Sequence, residues 1–254
     1  MNNLYPGALS GIRALVTGSS RGIGAETATM LAAGGARVAI NYRNKEARAL
    51  RVVAAIRAEG GEAIALGGDL TDLDSVAAMF AIVQKEWDGL DLLVLNASGG
   101  MESGMGEDYA MKLNRDAQIN VLDAALPLMA SGSRVVFVTS HQAHFVATAE
   151  TMASYLPVAL SKRAGEDALR DRVAELDNRG IGFVVVSGDM IEGTITATLL
   201  ERAQPGAIES RREEAGKLYS VNEFAAEVAQ AAIDPIPESH TRYVGDISGF
   251  VSAL

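Results

Sequence analysis

Short runs of Val, Ile and Leu recur along the chain at residues 13–16, 37–42, 63–66, 92–95, 135–139 and 182–187. They are too short for buried helices, and most lack the apolar–polar alternation of a strand with one wet face. They predict strands buried on both sides. Between them, Ala-rich segments at 25–33, 47–58, 75–87, 111–129 and 157–176 repeat their apolar residues at helical spacing. A seventh strand is expected at 241–244, after the Pro-containing stretch 234–238. Strands alternating with helices predict an α/β fold: a doubly wound, mostly parallel, seven-stranded sheet with right-handed crossovers and helices on both faces.

No internal repeat or low-complexity linker interrupts the pattern, so residues 1–254 read as a single domain. The least regular stretch is 190–218, with charged residues, Pro205, Gly193 and Gly206. It leaves the carboxyl edge of the sheet after the sixth strand, where ligands bind in such folds, and residues 188–220 are expected to form a substrate lid. The composition, 48% hydrophobic and 21% charged, suits a globular chain. A formal charge of −10 argues against nucleic acid or an anionic membrane as partner, so any phosphate site must be local. The absence of Cys excludes disulfides, a thiolate nucleophile and Cys-based zinc sites. The start of the chain carries no long apolar stretch, and no run of about 18 uncharged apolar residues occurs, which points to the cytoplasm.

Immediately after the first apolar run stands Thr17-Gly18-Ser19-Ser20-Arg21-Gly22-Ile23-Gly24, leading into the helical segment 25–33. Glycines in a strand-to-helix turn let the backbone approach a pyrophosphate, and the helix N-terminus presents unpaired N–H groups to its charge. The eight residues resemble the TGxxxGIG motif of the short-chain dehydrogenase/reductase family. The resemblance continues through Asn41-Tyr42-Arg43, Gly68-Asp69-Leu70 and Asn96-Ala97-Ser98-Gly99, spanning roughly residues 10 to 200. It implies a single-domain Rossmann fold, a dinucleotide cofactor, a small-molecule substrate and a homodimer or homotetramer.

Within that resemblance, NAD enzymes place an acidic residue where Asn41, Tyr42 and Arg43 stand here, so the expected cofactor is NADP(H). Arg21 and Arg43 would face its 2′-phosphate, a role suited to planar guanidinium groups; the alternative is that both are solvated surface residues. Asp69 and Leu70 would line the adenine, Asn96 and Ala97 would border the ribose, and Ser98 extends that edge. Thr194 resembles the family Thr that contacts the carboxamide or pyrophosphate, although Ser187-Gly188 replaces the usual Pro-Gly.

The catalytic pattern departs from the family. In YxxxK the Tyr stands four residues before the Lys, but four residues before Lys162 stands Val158. The nearest phenol is Tyr155, giving a Tyr-x6-Lys spacing that resembles the enoyl-acyl-carrier-protein reductases. Pro157 predicts that the helix starts there and leaves Tyr155 in the loop before it. Lys162, in Ser161-Lys162-Arg163-Ala164, would hold the nicotinamide ribose and lower the pKa of a nearby phenol. Ser140 resembles the catalytic Ser, but stands 22 residues before Lys162, more than usual. Asn114 resembles the family Asn that helps hold a water chain to the Lys. His141 and His144 offer a metal pair with no evident third ligand, or a replacement proton donor. No metal is expected.

The resemblance implies an NADPH-dependent oxidoreductase that reduces a carbonyl or a conjugated enoyl group of a small acyl or polyketide-like substrate, with an acyl thioester among the candidates. The other reading, motivated by Val158, is a noncatalytic NADP(H)-binding protein serving as regulator or assembly partner.

Overall fold

The computed structural model describes residues 4–101, 104, 106 and 108–251. The first half of the chain runs β1 (Arg13–Val16), α1 (Gly22–Ala33), β2 (Arg37–Tyr42), α2 (Glu46–Ala58), β3 (Glu62–Gly67), α3 (Leu73–Trp87) and β4 (Leu90–Leu95). Then follow α4 (Tyr109–Met111), a π-helical turn (Lys112–Asp116), α5 (Ala117–Ala125), a 3₁₀ turn (Leu126–Leu128), β5 (Met129–Ser140), α6 (His141–His144), α7 (Leu156–Arg170) and α8 (Val173–Asn178). The chain closes with β6 (Gly182–Gly188), α9 (Ile195–Ala203), α10 (Ala207–Ala215), α11 (Val221–Gln230) and β7 (Thr241–Val244).

The seven strands form one sheet in the order β3-β2-β1-β4-β5-β6-β7, and each neighbouring pair is parallel. Continuous apolar runs now have a physical reason. Ala14, Val16, Val38, Ile40, Val136 and Val138 pack on one face against Leu31 of α1, Ile56 of α2 and Phe224 of α11. Leu15, Ala39, Val135 and Phe137 pack on the other against Met79 of α3, Leu122 of α5 and Leu169 of α7. Both faces are dry, so the central positions of the strands are apolar on either side. The fold is the single-domain Rossmann-like arrangement that the pattern predicts.

Two helices differ from expectation. Segment 111–129 is not one helix: the π turn carries Asn114, Pro127 falls in a 3₁₀ turn, and Met129 already pairs with Leu90. Segment 157–176 ends its first helix at Arg170; beyond it Arg172 ion-pairs with Asp123 and Glu175. Helices α9 and α10 occupy much of the irregular stretch and contribute Leu200 and Ile208 to a third apolar cluster with Tyr155, Val158, Met190 and Leu218.

Candidate active site

β1 and β4 are neighbours, but the chain runs on from β1 to β2 on one side and from β4 to β5 on the other, so beyond their first turns the two connections part company at the carboxyl ends. That divergence opens the crevice characteristic of doubly wound sheets. The turn after β1 lies against the one after β4. Gly18 has φ +62°, and a Cβ there would stand 2.9 Å from Cα of Ala97. At Gly24 a Cβ would come within 2.5 Å of Asn96 Nδ2. Thr17 locks the pair: its Oγ1 accepts from the N–H groups of Asn96 at 2.9 Å and Ala97 at 3.0 Å, while Asn96 Nδ2 donates to Thr17 O at 2.9 Å.

Asn41 works from behind this turn. Its Oδ1 accepts from Gly18 N at 3.0 Å and its Nδ2 donates to the carbonyls of Leu66 and Gly68. The side chain is thereby buried among β1, β2 and β3, holding the loop. Arg21, the residue before α1, makes no side-chain cap, and no acidic residue lies in the first turn. The first-turn N–H groups and positive helix end remain to meet an anion. With Gly22 at φ +58° and nothing within 4 Å of where its Cβ would be, the turn fits a pyrophosphate.

The two arginines separate. Ser20 and Arg21 line a groove between α1 and α2 that also holds Arg48 and Arg51. Arg43 instead donates to Tyr109 Oη, with its guanidinium 5.6 Å from the centre of that ring. Tyr42 donates to Glu46 at 3.1 Å. Asp69 accepts from Thr71 N and Oγ1, shaping the turn beside buried Leu70.

A cleft continues from Ile23, Asn96 and Ser98 to Ser140, Tyr155, Lys162 and Thr194. The Thr194 hydroxyl caps α9, accepting from Ala197 N and donating to Ile191 O. α7 begins at Leu156, one residue earlier than Pro157 suggests, because the first-turn N–H that Pro lacks has no helical partner to lose. Tyr155 is the residue just before it, and its Oη lies 3.1 Å from Ser140 Oγ. Val158 turns instead into the apolar cluster, where its Cγ2 lies beside Gly100.

Lys162 is buried and its Nζ donates to Val138 O at 3.3 Å. Burial pulls its pKa down to about 8, against the attraction of Glu166. The phenol of Tyr155 is shifted upward, contrary to the lowering expected from Lys162: burial raises it more than the Ser140 hydrogen bond lowers it. Behind the cleft, Asn114 accepts from Gly99 N and donates to Gly99 O and Ser161 Oγ. A Cβ at Gly165 would run into the Asn114 carbonyl oxygen, so α7 rests directly on the π turn.

His141 and His144 turn away from the cleft. His141 accepts from Ser187 Oγ at Nδ1 and donates from Nε2 to Val244 O, tying α6 to β6 and β7. Burial lowers its pKa to about 4, more than the pull of Asp189 raises it. His144 joins Glu166 and Tyr243 at 2.8 and 3.0 Å. With these partners they form no metal pair, and among the described residues no group of three His, Cys, Asp or Glu is arranged for a metal.

Gln142, Asp189, Met190 and Leu200 also line the cleft, and none stood out individually in the sequence. Asp189 had one available signal, its place one residue past the carboxyl end of a strand. It is gripped through two oxygens by Arg211 of α10, whose guanidinium also lies 4.6 Å from the centre of the Phe250 ring.

Comparison with known proteins gives the site its context. The chain is 35% identical over 178 residues to a hydroxynaphthalene reductase of Aspergillus fumigatus, covering 68% of this chain and 63% of that one. It spans about half the length of other curated relatives it matches. A short chain dehydrogenase of Burkholderia cenocepacia in complex with NADP superposes with a TM-score of 0.77 at 30% identity, over 94% of this chain and 98% of that one. The promiscuous reductase LugOII, which catalyses keto-reduction at C1 during lugdunomycin biosynthesis, superposes with a TM-score of 0.76 at 28% identity, over 95% and 98%. The family model for short chain dehydrogenases matches residues 13–204, the stretch that carries the glycine turn, Ser140, Tyr155 and Lys162, and the chain belongs to the short-chain dehydrogenase/reductase family.

Proposed function

We propose that this protein is an NADPH-dependent ketoreductase acting on a small, neutral, polyketide-like ketone. The observation that carries the proposal is the hydrogen bond between Ser140 and Tyr155 in the cleft that also receives buried Lys162 and opens on the glycine turn. The NADP bound by the Burkholderia relative and the keto-reduction performed by LugOII support cofactor and reaction class.

NADPH would supply the hydride. The first turn of α1 would hold its pyrophosphate, and Arg21 and Arg43 would meet the 2′-phosphate, Arg43 by exchanging Tyr109 for it. Lys162 would donate to the nicotinamide ribose hydroxyls. Tyr155, kept protonated by burial, would give its proton to the carbonyl oxygen while Ser140 donates a second hydrogen bond to that oxygen. Met190 and Leu200 give the substrate end an apolar lining, and the charge of Asp189 is matched by Arg211. α9 and α10 would act as the lid.

The Tyr-x6-Lys spacing favours a second reading, reduction of an enoyl thioester with Tyr155 stabilising the enolate oxygen. One experiment separates these and the noncatalytic alternative: NADPH and NADH binding, then NADPH oxidation against ketone and enoyl-thioester panels, in wild type and Tyr155→Phe. The expected result is turnover on ketones that falls about 10²–10⁴-fold in the variant with NADPH binding retained. Unchanged turnover in Tyr155→Phe would overturn the role of Tyr155; preference for enoyl substrates would select the second reading; tight binding without turnover on either panel would favour the noncatalytic one.

A further inference from the structure

We propose that Glu166 is a positioning residue for Lys162: a buried carboxylate, held in place by His144 and Arg170, that serves as the counter-charge of the Lys162 ammonium. The functional part of this inference rests on the reading of Lys162 as the cation that holds the cofactor ribose.

Glu166 follows Lys162 by four residues in α7, one helical turn along the same face. Its side chain is 0% exposed. A carboxylate enclosed in this way is costly unless fixed partners replace water. Oε1 receives two such partners, His144 Nδ1 at 2.8 Å and Arg170 Nε at 2.9 Å, with Arg163 at 3.7 Å. Oε2 has no hydrogen-bond partner among the described residues, so the carboxylate is not saturated by the groups that hold it. Burial alone would raise the pKa of Glu166, but the hydrogen bonds and attraction of His144 and Arg170 bring it below its ordinary value, leaving it ionised at neutral pH.

Lys162 faces the opposite problem. Its ammonium is buried, and among the described residues the one hydrogen bond it makes is to the neutral carbonyl of Val138. The π turn under α7 carries Lys112 and Arg115, the latter paired with Asp116. Arg163 and Arg170 are cations on α7 itself, and Arg163 also pairs with Asp167. From α6 come His141, which burial keeps neutral, and His144; from β7 comes Tyr243, at the far side of His144. Tyr155 adds a protonated phenol, and beyond β6 Asp189 is engaged by Arg211. Glu166 is therefore the carboxylate in place to favour the charged form of Lys162. The short helix α6 joins the two functions: Ser140 caps it at the cleft, and His144 at its other end grips Glu166.

The purely structural alternative is that Glu166 only bolts α7 to α6 and, through Arg170 and Thr241, to β7. Titration of Lys162 distinguishes the two without cofactor or substrate. Protein carrying ¹³Cε-labelled lysine is titrated by NMR, the Lys162 resonance being assigned by its loss in Lys162→Met. In Glu166→Gln the Lys162 midpoint should fall by about one pH unit, and in Glu166→Asp, which keeps the charge but draws it back, by less. The Asp variant keeps the test available should the Gln variant fail to fold. A Lys162 midpoint that stays put in folded Glu166→Gln, or in Glu166→Asp alone should only that variant fold, would overturn the proposal, whatever happens to the melting temperature.

NADPH affinity across the same pH range supplies the functional readout. At pH 8 the Gln variant should bind about fivefold more weakly, following the smaller protonated fraction of Lys162. A midpoint that shifts while NADPH affinity ignores it would leave the counter-charge standing and overturn the role of Lys162 in holding the ribose.

Discussion

The turn that joins β1 to α1 and the segment that joins β5 to α7 meet at the same cleft, but they are built on different principles. The first is almost entirely backbone: Gly18 and Gly24 bring main chains together, Thr17 and Asn41 pin them, and the end of α1 that follows carries no cap from Arg21. The second is built from side chains delivered by separate elements, Ser140 from the end of β5, Tyr155 from the residue before α7 and Lys162 from two turns inside it. A backbone device has to preserve a local pattern of residues. A side-chain device need only bring atoms to one place, so Tyr155 can stand outside the usual spacing and still reach Ser140.

The largest effects should come from moving the phenol. Adding Val158→Tyr to Tyr155→Phe restores the ordinary spacing on paper, but Val158 already packs against Gly100. The double variant should remain as impaired as Tyr155→Phe alone, at least about 10²-fold below wild type in kcat. Recovery of activity would show that the cleft accepts a phenol from either position and would erase the contrast. Next in size, His141 differs between states, with an ordinary pKa of 6.5 and about 4 when folded. Because the unfolded chain then binds a proton that the folded one refuses, stability should be lost as pH falls from 6.5 to 4, by about 3 kcal/mol. Urea midpoints at pH 7 and pH 4 check this, and His141→Gln should lose less between the two.

Gly24→Ala and Gly165→Ala probe close backbone approaches in the two regions, against Asn96 and against the Asn114 carbonyl. Each should cost about 2 kcal/mol of stability. Their functional marks should differ: Gly24→Ala weakens NADPH binding, whereas Gly165→Ala lowers turnover, readable as KM and kcat measured together. Smallest are the arginines. Arg21→Ala and Arg43→Ala should each weaken NADPH about tenfold and leave NADH nearly unchanged, since a hydrogen bond to a charged phosphate contributes about 1.5 kcal/mol. Equal losses for both cofactors would remove the 2′-phosphate assignment.

This division also sets how much could be read in advance. The sheet was legible because parallel strands dry on both faces write themselves as unbroken Val, Ile and Leu runs. The glycine turn was legible for a similar reason, its requirements being short-range. The break in 111–129 was not, because the π turn follows from contacts of Asn114 with Gly99 and Ser161, far away in sequence. The histidine pair invited a chemical reading by its spacing alone, while its true partners, Ser187, Val244, Glu166 and Tyr243, come from β6, α7 and β7. Asp189 and Arg211 were silent for the same reason, lying 22 residues apart and meeting only when α10 folds back to the end of β6.

With α9 and α10 as the lid proposed above, that last contact would set a clock. Arg211 is bonded through two nitrogens to a carboxylate whose side chain is 3% exposed, so swinging α10 aside strips a charge pair of its partners before water can replace them. Parting such a pair costs about 3 kcal/mol or more. On that proposal molecules would enter and leave at intervals dictated by this clasp, independently of how fast hydride moves, and residence time inside the protein would become a property written in one arginine.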